Sequence, residues 1–322
     1  MSRRPRGGAV PAPPGPELAT AVGAVALRSP VLLASGTAGH GAELAPYLAL
    51  AHLGGVVVKS LLAEPWTGNP APRVHPVTAG MLNAVGLQGP GVPAWRRDEL
   101  PGLLATDACV VASIWGRTLD EFAAAAEALA SLPAAVVAVE VNLSCPNLKG
   151  KGMFAQSVEA TEAAVRVTEA CGLPRWAKLT AAVAALPEIA AAAAAGGAAA
   201  VTLVNTVPAL ALDPHTGRPV LGNGSGGLSG PAIHPVAVKA VWDVRAALPD
   251  LPIVGVGGVS SAADAVELLL AGAHAVQVGT ATFADPRAAG RIQDQLAAWC
   301  AARSVTVARL VGAAHRPAQE AS

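Results

Sequence analysis

The sequence predicts an α/β protein folded as a closed (β/α)8 barrel, the TIM-barrel architecture. Three observations predict it. Short apolar runs rich in β-branched residues recur eight times along the 322 residues. Most are followed by an alanine- and leucine-rich stretch of helical character. Residues able to do chemistry gather just past the ends of the apolar runs. Continuous apolar strands, each followed by a helix, are what a parallel sheet covered by helices requires. Eight such units close a barrel rather than leave an open sheet.

The strands are expected at residues 30–34, 55–60, 109–114, 135–143, 175–179, 200–205, 252–256 and 273–279. Helices are expected at 119–131, 158–171, 183–195, 231–248, 262–271 and 286–302. Their starts are marked by Thr118 with Glu121, by Ser261 with Asp264, and by Pro286 after Asp285. Residues 1–24 read as a flexible Pro/Gly/Ala-rich tail, 25–312 as one barrel domain and 313–322 as a C-terminal tail. Two excursions, 61–107 and 207–230, interrupt the alternation after the second and sixth strands. Long loops after barrel strands lie on the face where ligands bind. A Rossmann-like fold is the alternative, because GNGSGG at 222–227 matches GxGxxG. That motif needs a strand directly before it and a helix directly after it, and here it has neither.

Composition removes several classes. With 22 Lys+Arg against 22 Asp+Glu, no broad basic surface is available, so no nucleic-acid partner is expected. Hydrophobic residues make up 52% and charged residues 14%, and the mean hydropathy is +0.47, which raises the question of a membrane. The most apolar stretch, 181–204, contains Pro187 and Glu188 and is mostly alanine, which carries little transfer energy. It reads as a soluble helix and a buried strand, so no membrane is expected. The basic start MSRRPRGG runs into PAPPGP instead of an apolar h-region. The four cysteines form no CxxC and no metal spacing. A cytoplasmic chain with free thiols and no metal site follows. Cys109, Cys171 and Cys300 read as structural.

The strand ends carry the site. They present Ser35, then Lys59 and Ser60, Ser113, Asn142 to Asn147, Lys178, and Asn205 with Thr206. The last two ends are Gly257-Gly258 and Gly279-Thr280. Glycine turns after the seventh and eighth strands either permit tight βα turns or offer backbone N–H groups to a phosphate; two of them at these positions favour phosphate. Lys59 and Lys178 point into a partly buried mouth, where lysine needs a partner. The partner is a salt bridge or an anionic ligand. The ligand is favoured because only Glu140, within a strand, and Glu64, in a loop, lie near these ends. Asn83, Asn142, Asn147 and Asn205 supply donors and acceptors suited to a flat heterocycle, against an alternative as ordinary loop asparagines. Cys145, between two of these asparagines, is either a small buried hydrophobe or a general base if its surroundings lower the thiol pKa.

NLSCPN at 142–147, GMLNAVGLQ at 80–88, GNPAPR at 68–73, GGLSGPA at 226–232, ASGT at 34–37 and VGTATF at 278–283 resemble dihydroorotate dehydrogenase. The resemblance spans about residues 25–312 and is to the catalytic subunits of the class 1B type. It implies FMN as cofactor and oxidation of (S)-dihydroorotate to orotate in pyrimidine biosynthesis. Carried over by motif, Cys145 is the base for the C5 proton, with hydride passing from C6 to flavin N5. Lys59 would contact both flavin and substrate. Asn83, Ala84, Val85, Gly86, Leu87, Asn142, Asn147, Asn205 and Thr206 would bind substrate. Ser35, Ser60, Asn142, Lys178, Val204 and Gly230 would hold FMN, and Gly257, Gly258, Gly279 and Thr280 its phosphate.

The resemblance also implies a homodimer. It implies a partner subunit carrying FAD and an iron–sulfur cluster that passes electrons to NAD+, with fumarate as an alternative acceptor. Two departures stand out. Ser113 stands where the family usually has asparagine, and Thr180-Ala-Ala-Val183 stands where it tends to Ser-Pro-Asn. Two other functions compete. One is a dihydropyrimidine dehydrogenase-like flavin enzyme, which shares NLSCP but usually continues with histidine. The other is a non-catalytic flavin- or phosphate-binding subunit.

Overall fold

The protein is represented by a computed structural model that describes residues 15–144 and 152–317. The chain opens with a hairpin of Thr20–Val22 (β1) and Val25–Leu27 (β2). Val31–Leu33 (β3) and Gly55–Val57 (β4) follow, then Val74–Val77 (β5) and Gly80–Asn83 (β6) in the first excursion. Next come Val110–Ile114 (β7), Val136–Asn142 (β8), Arg175–Leu179 (β9) and Ala200–Leu203 (β10). Val207–Ala209 (β11) and Gly226–Ser229 (β12) lie in the second excursion, before Ile253–Val256 (β13) and Ala275–Val278 (β14).

Eight strands close a barrel in the order β10-β13-β14-β3-β4-β7-β8-β9, and every pair is parallel. The eight expected strands are these eight, each within a few residues. Residues of β7, β10, β13 and β14 are buried on both faces, which is why they read as unbroken apolar runs rather than alternating ones. The expected helices form at Leu119–Ala128, Val158–Arg166, Leu186–Ala195, His234–Ala247, Ala262–Ala271 and Ala288–Arg303. Thr118 caps the first by accepting from the Glu121 N–H. Ser261 and Asp264 form a reciprocal capping box. Asp285 accepts from the Arg287 N–H just before the last of these helices.

Side chains alternate across a strand, so the barrel interior is built in layers. The lower layer is apolar: Leu32, Val57, Val111, Ala138, Trp176, Ala200, Val254 and Ala275 pack as one cluster. Two residues further along the same strands stand Ala34, Lys59, Ser113, Glu140, Lys178, Thr202, Val256 and Gln277. The interior therefore turns polar in one step toward the C-terminal ends of the strands.

The tail expected through residue 24 needs correction over its described part. Val22, Val25 and Leu27 join the lower layer as its plug, and Leu18 is fully buried in the outer core. The hairpin is fixed at the N-terminal mouth by Thr20 Oγ1 donating to the His274 carbonyl at 2.8 Å. A Pro/Ala-rich composition hid these few apolar residues. Val22→Asp is expected to cost about 3 kcal/mol or more, because a carboxylate would be buried within an apolar cluster. A lower urea midpoint at unchanged slope checks this. The C-terminal boundary also moves outward: His315 stacks on Trp242 with ring centroids 3.8 Å apart and contacts the Ala271 carbonyl through Nε2 at 3.0 Å.

The two excursions meet. β11, β12, β6 and β5 form a four-stranded antiparallel sheet in that order, beside the mouth of the barrel. The last two glycines of GNGSGG serve this pairing. A Cβ at Gly226 would lie 2.4 Å from the Asn83 carbonyl oxygen, and one at Gly227 1.9 Å from Thr206 Oγ1. Glycine is required there because two chains approach closely. Among the described residues, no single helix is long and apolar enough to cross a membrane.

Candidate active site

A cavity of about 580 Å³ opens at the C-terminal end of the barrel, roofed by the antiparallel sheet. From the strand ends it is lined by Ser35, Lys59, Ser60, Asn142, Lys178, Val204, Asn205 and Thr206. The excursion sheet contributes Asn83, Ala84, Val85, Gly86, Leu87 and Gly230. The glycine turns contribute Gly257, Gly258, Gly279 and Thr280. Every expected site residue in the described part of the chain therefore reaches one cavity. Cys145 and Asn147 lie outside the described residues.

The wall nearest β4, β7, β8 and β10 is a hydrogen-bonded chain of short polar side chains. Ser113 Oγ and Ser60 Oγ share a hydrogen bond of 2.9 Å. Ser60 Oγ accepts from Asn142 Nδ2 at 3.3 Å, and Asn142 Oδ1 accepts from Asn205 Nδ2 at 3.1 Å. Asn205 Oδ1 in turn accepts the Thr206 N–H at 2.8 Å. Each link fixes the next side chain's rotamer, so the amides facing the cavity are held in place before any ligand arrives. Ser113 is fully buried and acts on Ser60 from behind, which accounts for a shorter side chain at this strand end. Asn83 is anchored by donating to the Gly227 carbonyl at 3.2 Å, across the β6–β12 pair.

At the opposite end, Gly230, Gly257 and Gly258 have φ of 97°, 143° and 70°. A Cβ at Gly258 would lie 2.7 Å from His234 Cβ and 2.9 Å from the Gly230 carbonyl oxygen. Only bare backbone fits this turn. His234 Nδ1 pins it through the Gly257 carbonyl at 2.8 Å.

The two lysines differ. Lys178 is buried and paired with Glu140, Nζ to Oε1 at 3.1 Å. Of the two alternatives open for this lysine, the less favoured salt bridge is the one that forms: Glu140 sits two residues before Asn142 on β8, so both point into the barrel. Lys59 has no ion-pair partner among the described residues. Burial, and behind it the Arg73 guanidinium, hold its ammonium below the ordinary lysine value. Such a group awaits an anion. Burial also pushes the Cys109, Cys171 and Cys300 thiols up, consistent with structural cysteines.

Sequence reasoning missed a further wall. Trp115 and Arg117 follow β7 directly and line the cavity with Trp66. Trp66 and Trp115 pack edge to face, centroids 6.0 Å apart, and Arg117 lies 4.3 Å over the Trp66 ring while paired with Glu121. Their position at a strand end was the available signal.

A parallel barrel with a polar upper layer, a half-buried lysine without an ion-pair partner among the described residues and a glycine-lined turn defines a class of protein suited to anionic ligands. Comparison with known proteins gives that class a family. The family described as Dihydroorotate dehydrogenase matches residues 17–299. The chain is 48% identical to a dihydroorotate dehydrogenase B (NAD(+)) catalytic subunit from Desulforudis audaxviator, over 92% of this chain and 97% of that protein. It is 42% identical to the one from Geobacter sulfurreducens and 41% to that of Geobacter metallireducens, each over 92% of this chain and 98% of the relative. The chain belongs to the dihydroorotate dehydrogenase family.

Proposed function

We infer that the chain oxidises (S)-dihydroorotate to orotate in pyrimidine biosynthesis, as an FMN-dependent catalytic subunit. The observation that carries this is the convergence of all the described site residues on one cavity, with a glycine turn at one end and an amide chain at the other. The residues fit FMN. The Gly257–Gly258 and Gly279–Thr280 turns present bare backbone to a phosphate. Lys178 supplies a fixed cation, and Ser35, Ser60, Asn142, Val204 and Gly230 line the space between.

Bound FMN supplies the two-electron acceptor for the hydride that leaves C6. Cys145, as thiolate, takes the C5 proton, so that two hydrogens leave as a proton and a hydride and a C=C bond forms. Lys59 pairs with the negative charge of the substrate and contacts the flavin. Asn83, Asn142, Asn147, Asn205 and Thr206 orient the ring through its C=O and N–H groups, and residues 84–87 close over it. Holding both reactants in one geometry supplies much of the rate. Electrons leave to NAD+ through a partner subunit that carries FAD and an iron–sulfur cluster. The chain works as a homodimer in the cytoplasm.

Turnover of the FMN-loaded chain with an artificial dye acceptor tests the reading. Dihydroorotate should be oxidised and dihydrouracil should not. The reverse preference would replace this reading with the dihydropyrimidine dehydrogenase-like one.

A further inference from the structure

Directly beneath the cavity the barrel holds a charge that does not itself reach the cavity. Glu140 is fully buried in β8. Its Oε1 accepts from Lys178 Nζ at 3.1 Å and its Oε2 accepts from Gln277 Nε2 at 2.8 Å. Gln277 is fully buried too, and its Oε1 has no hydrogen-bond partner among the described residues. Of the three, only Lys178 lines the cavity.

Stability alone does not explain this group. Replacing a buried ion pair by well-packed apolar side chains is often neutral or stabilising, and the layer just below is apolar throughout. The charges stand at the single level that floors the site. Their geometry has two consequences for whatever rests on Lys178. The carboxylate, held from its far oxygen by Gln277, fixes where Nζ sits. It also opposes the lysine's charge, so the cavity feels a paired cation rather than a bare one.

We propose that Glu140, held by Gln277, is a positioning residue that aims Lys178 into the cavity and limits how strongly that lysine stabilises negative charge on the bound flavin. The proposal rests on the reading that FMN occupies the cavity against Lys178. Reduced flavin carries its negative charge near N1, so the opposed lysine sets the cofactor's reduction potential as well as its place.

The test is an equilibrium redox titration of the FMN-loaded chain against a dye of known potential. Glu140→Gln removes the opposing charge at nearly constant shape. Its flavin is expected to be at least tenfold more reduced than wild type at a fixed potential, a rise of about 30 mV for a two-electron couple. Gln277→Met removes the donor to Oε2, turns more of the carboxylate's charge on Lys178, and is expected to move the potential the other way. If Glu140→Gln does not fold, Gln277→Met decides: a lower potential supports the proposal and a wild-type potential overturns it. A yellow wild-type chain with both variants at its own potential overturns this inference alone. A wild-type chain that takes up no FMN overturns the cofactor reading, and this inference with it.

Discussion

Cys145→Ala is expected to lower turnover with dihydroorotate by about 10²–10⁴-fold at neutral pH, the range that a positioned acid or base supplies. The C–H bond at C5 is only moderately acidic, so its proton leaves slowly without a positioned base to take it. Three other thiols provide the contrast. Cys171 and Cys300 are buried and Cys109 half-buried, and burial raises the pKa of each, so none is suited to serve as a thiolate near neutrality. Loss of activity in Cys145→Ala should come with unchanged FMN content, because the FMN-facing groups named above do not include the thiol. Single-turnover flavin reduction measures the effect on the chemical step directly. Wild-type flavin reduction in this variant would remove the base assignment.

Lys59→Met is expected to lower kcat/KM by about 30-fold to a few thousandfold, the loss seen when one partner of a buried, hydrogen-bonded charge pair is truncated. The same variant is expected to make the ligand-free protein more stable at neutral pH. The reason is the lowered pKa of Lys59. The unfolded chain binds this proton more tightly than the folded one, so folding is penalised while the lysine is charged. That penalty is full below the folded-state pKa. It fades as pH rises from that value to the ordinary lysine value, and with it the advantage of methionine. Thermal midpoints of both proteins across alkaline pH check the sign. A half-buried cation held without a counter-ion among the described residues is a site kept ready at the expense of stability. Orotate should accordingly raise the midpoint of the wild type more than that of the variant.

Much of this was legible in the sequence, for identifiable reasons. Strands buried on both faces leave continuous apolar runs, so all eight barrel strands could be placed. Barrel chemistry stands at strand ends, so reading Lys59, Asn142, Lys178 and Asn205 there found the cavity wall. What escaped depends on contacts distant in the chain. β6 and β12 pair across more than a hundred residues of sequence, and no local pattern announces that the two excursions form one sheet. Glu140 was seen but read as part of an apolar strand, because the scarcity of acids near the mouth outweighed the alternation that points it inward beside Asn142. The N-terminal hairpin was lost in a Pro/Ala-rich composition, although Val25 and Leu27 already alternate. Trp66, Trp115 and Arg117 come together only through contacts across the fold, Arg117 lying over the Trp66 ring and Trp66 packing on Trp115.

The most direct test of the account is the visible spectrum of the purified, FMN-loaded chain, recorded without oxygen before and after adding (S)-dihydroorotate. The account predicts a yellow protein whose flavin absorbance bleaches with dihydroorotate and returns when an acceptor is supplied. A chain that stays colourless after incubation with FMN would contradict it, as would a bound flavin that remains oxidised in the presence of dihydroorotate.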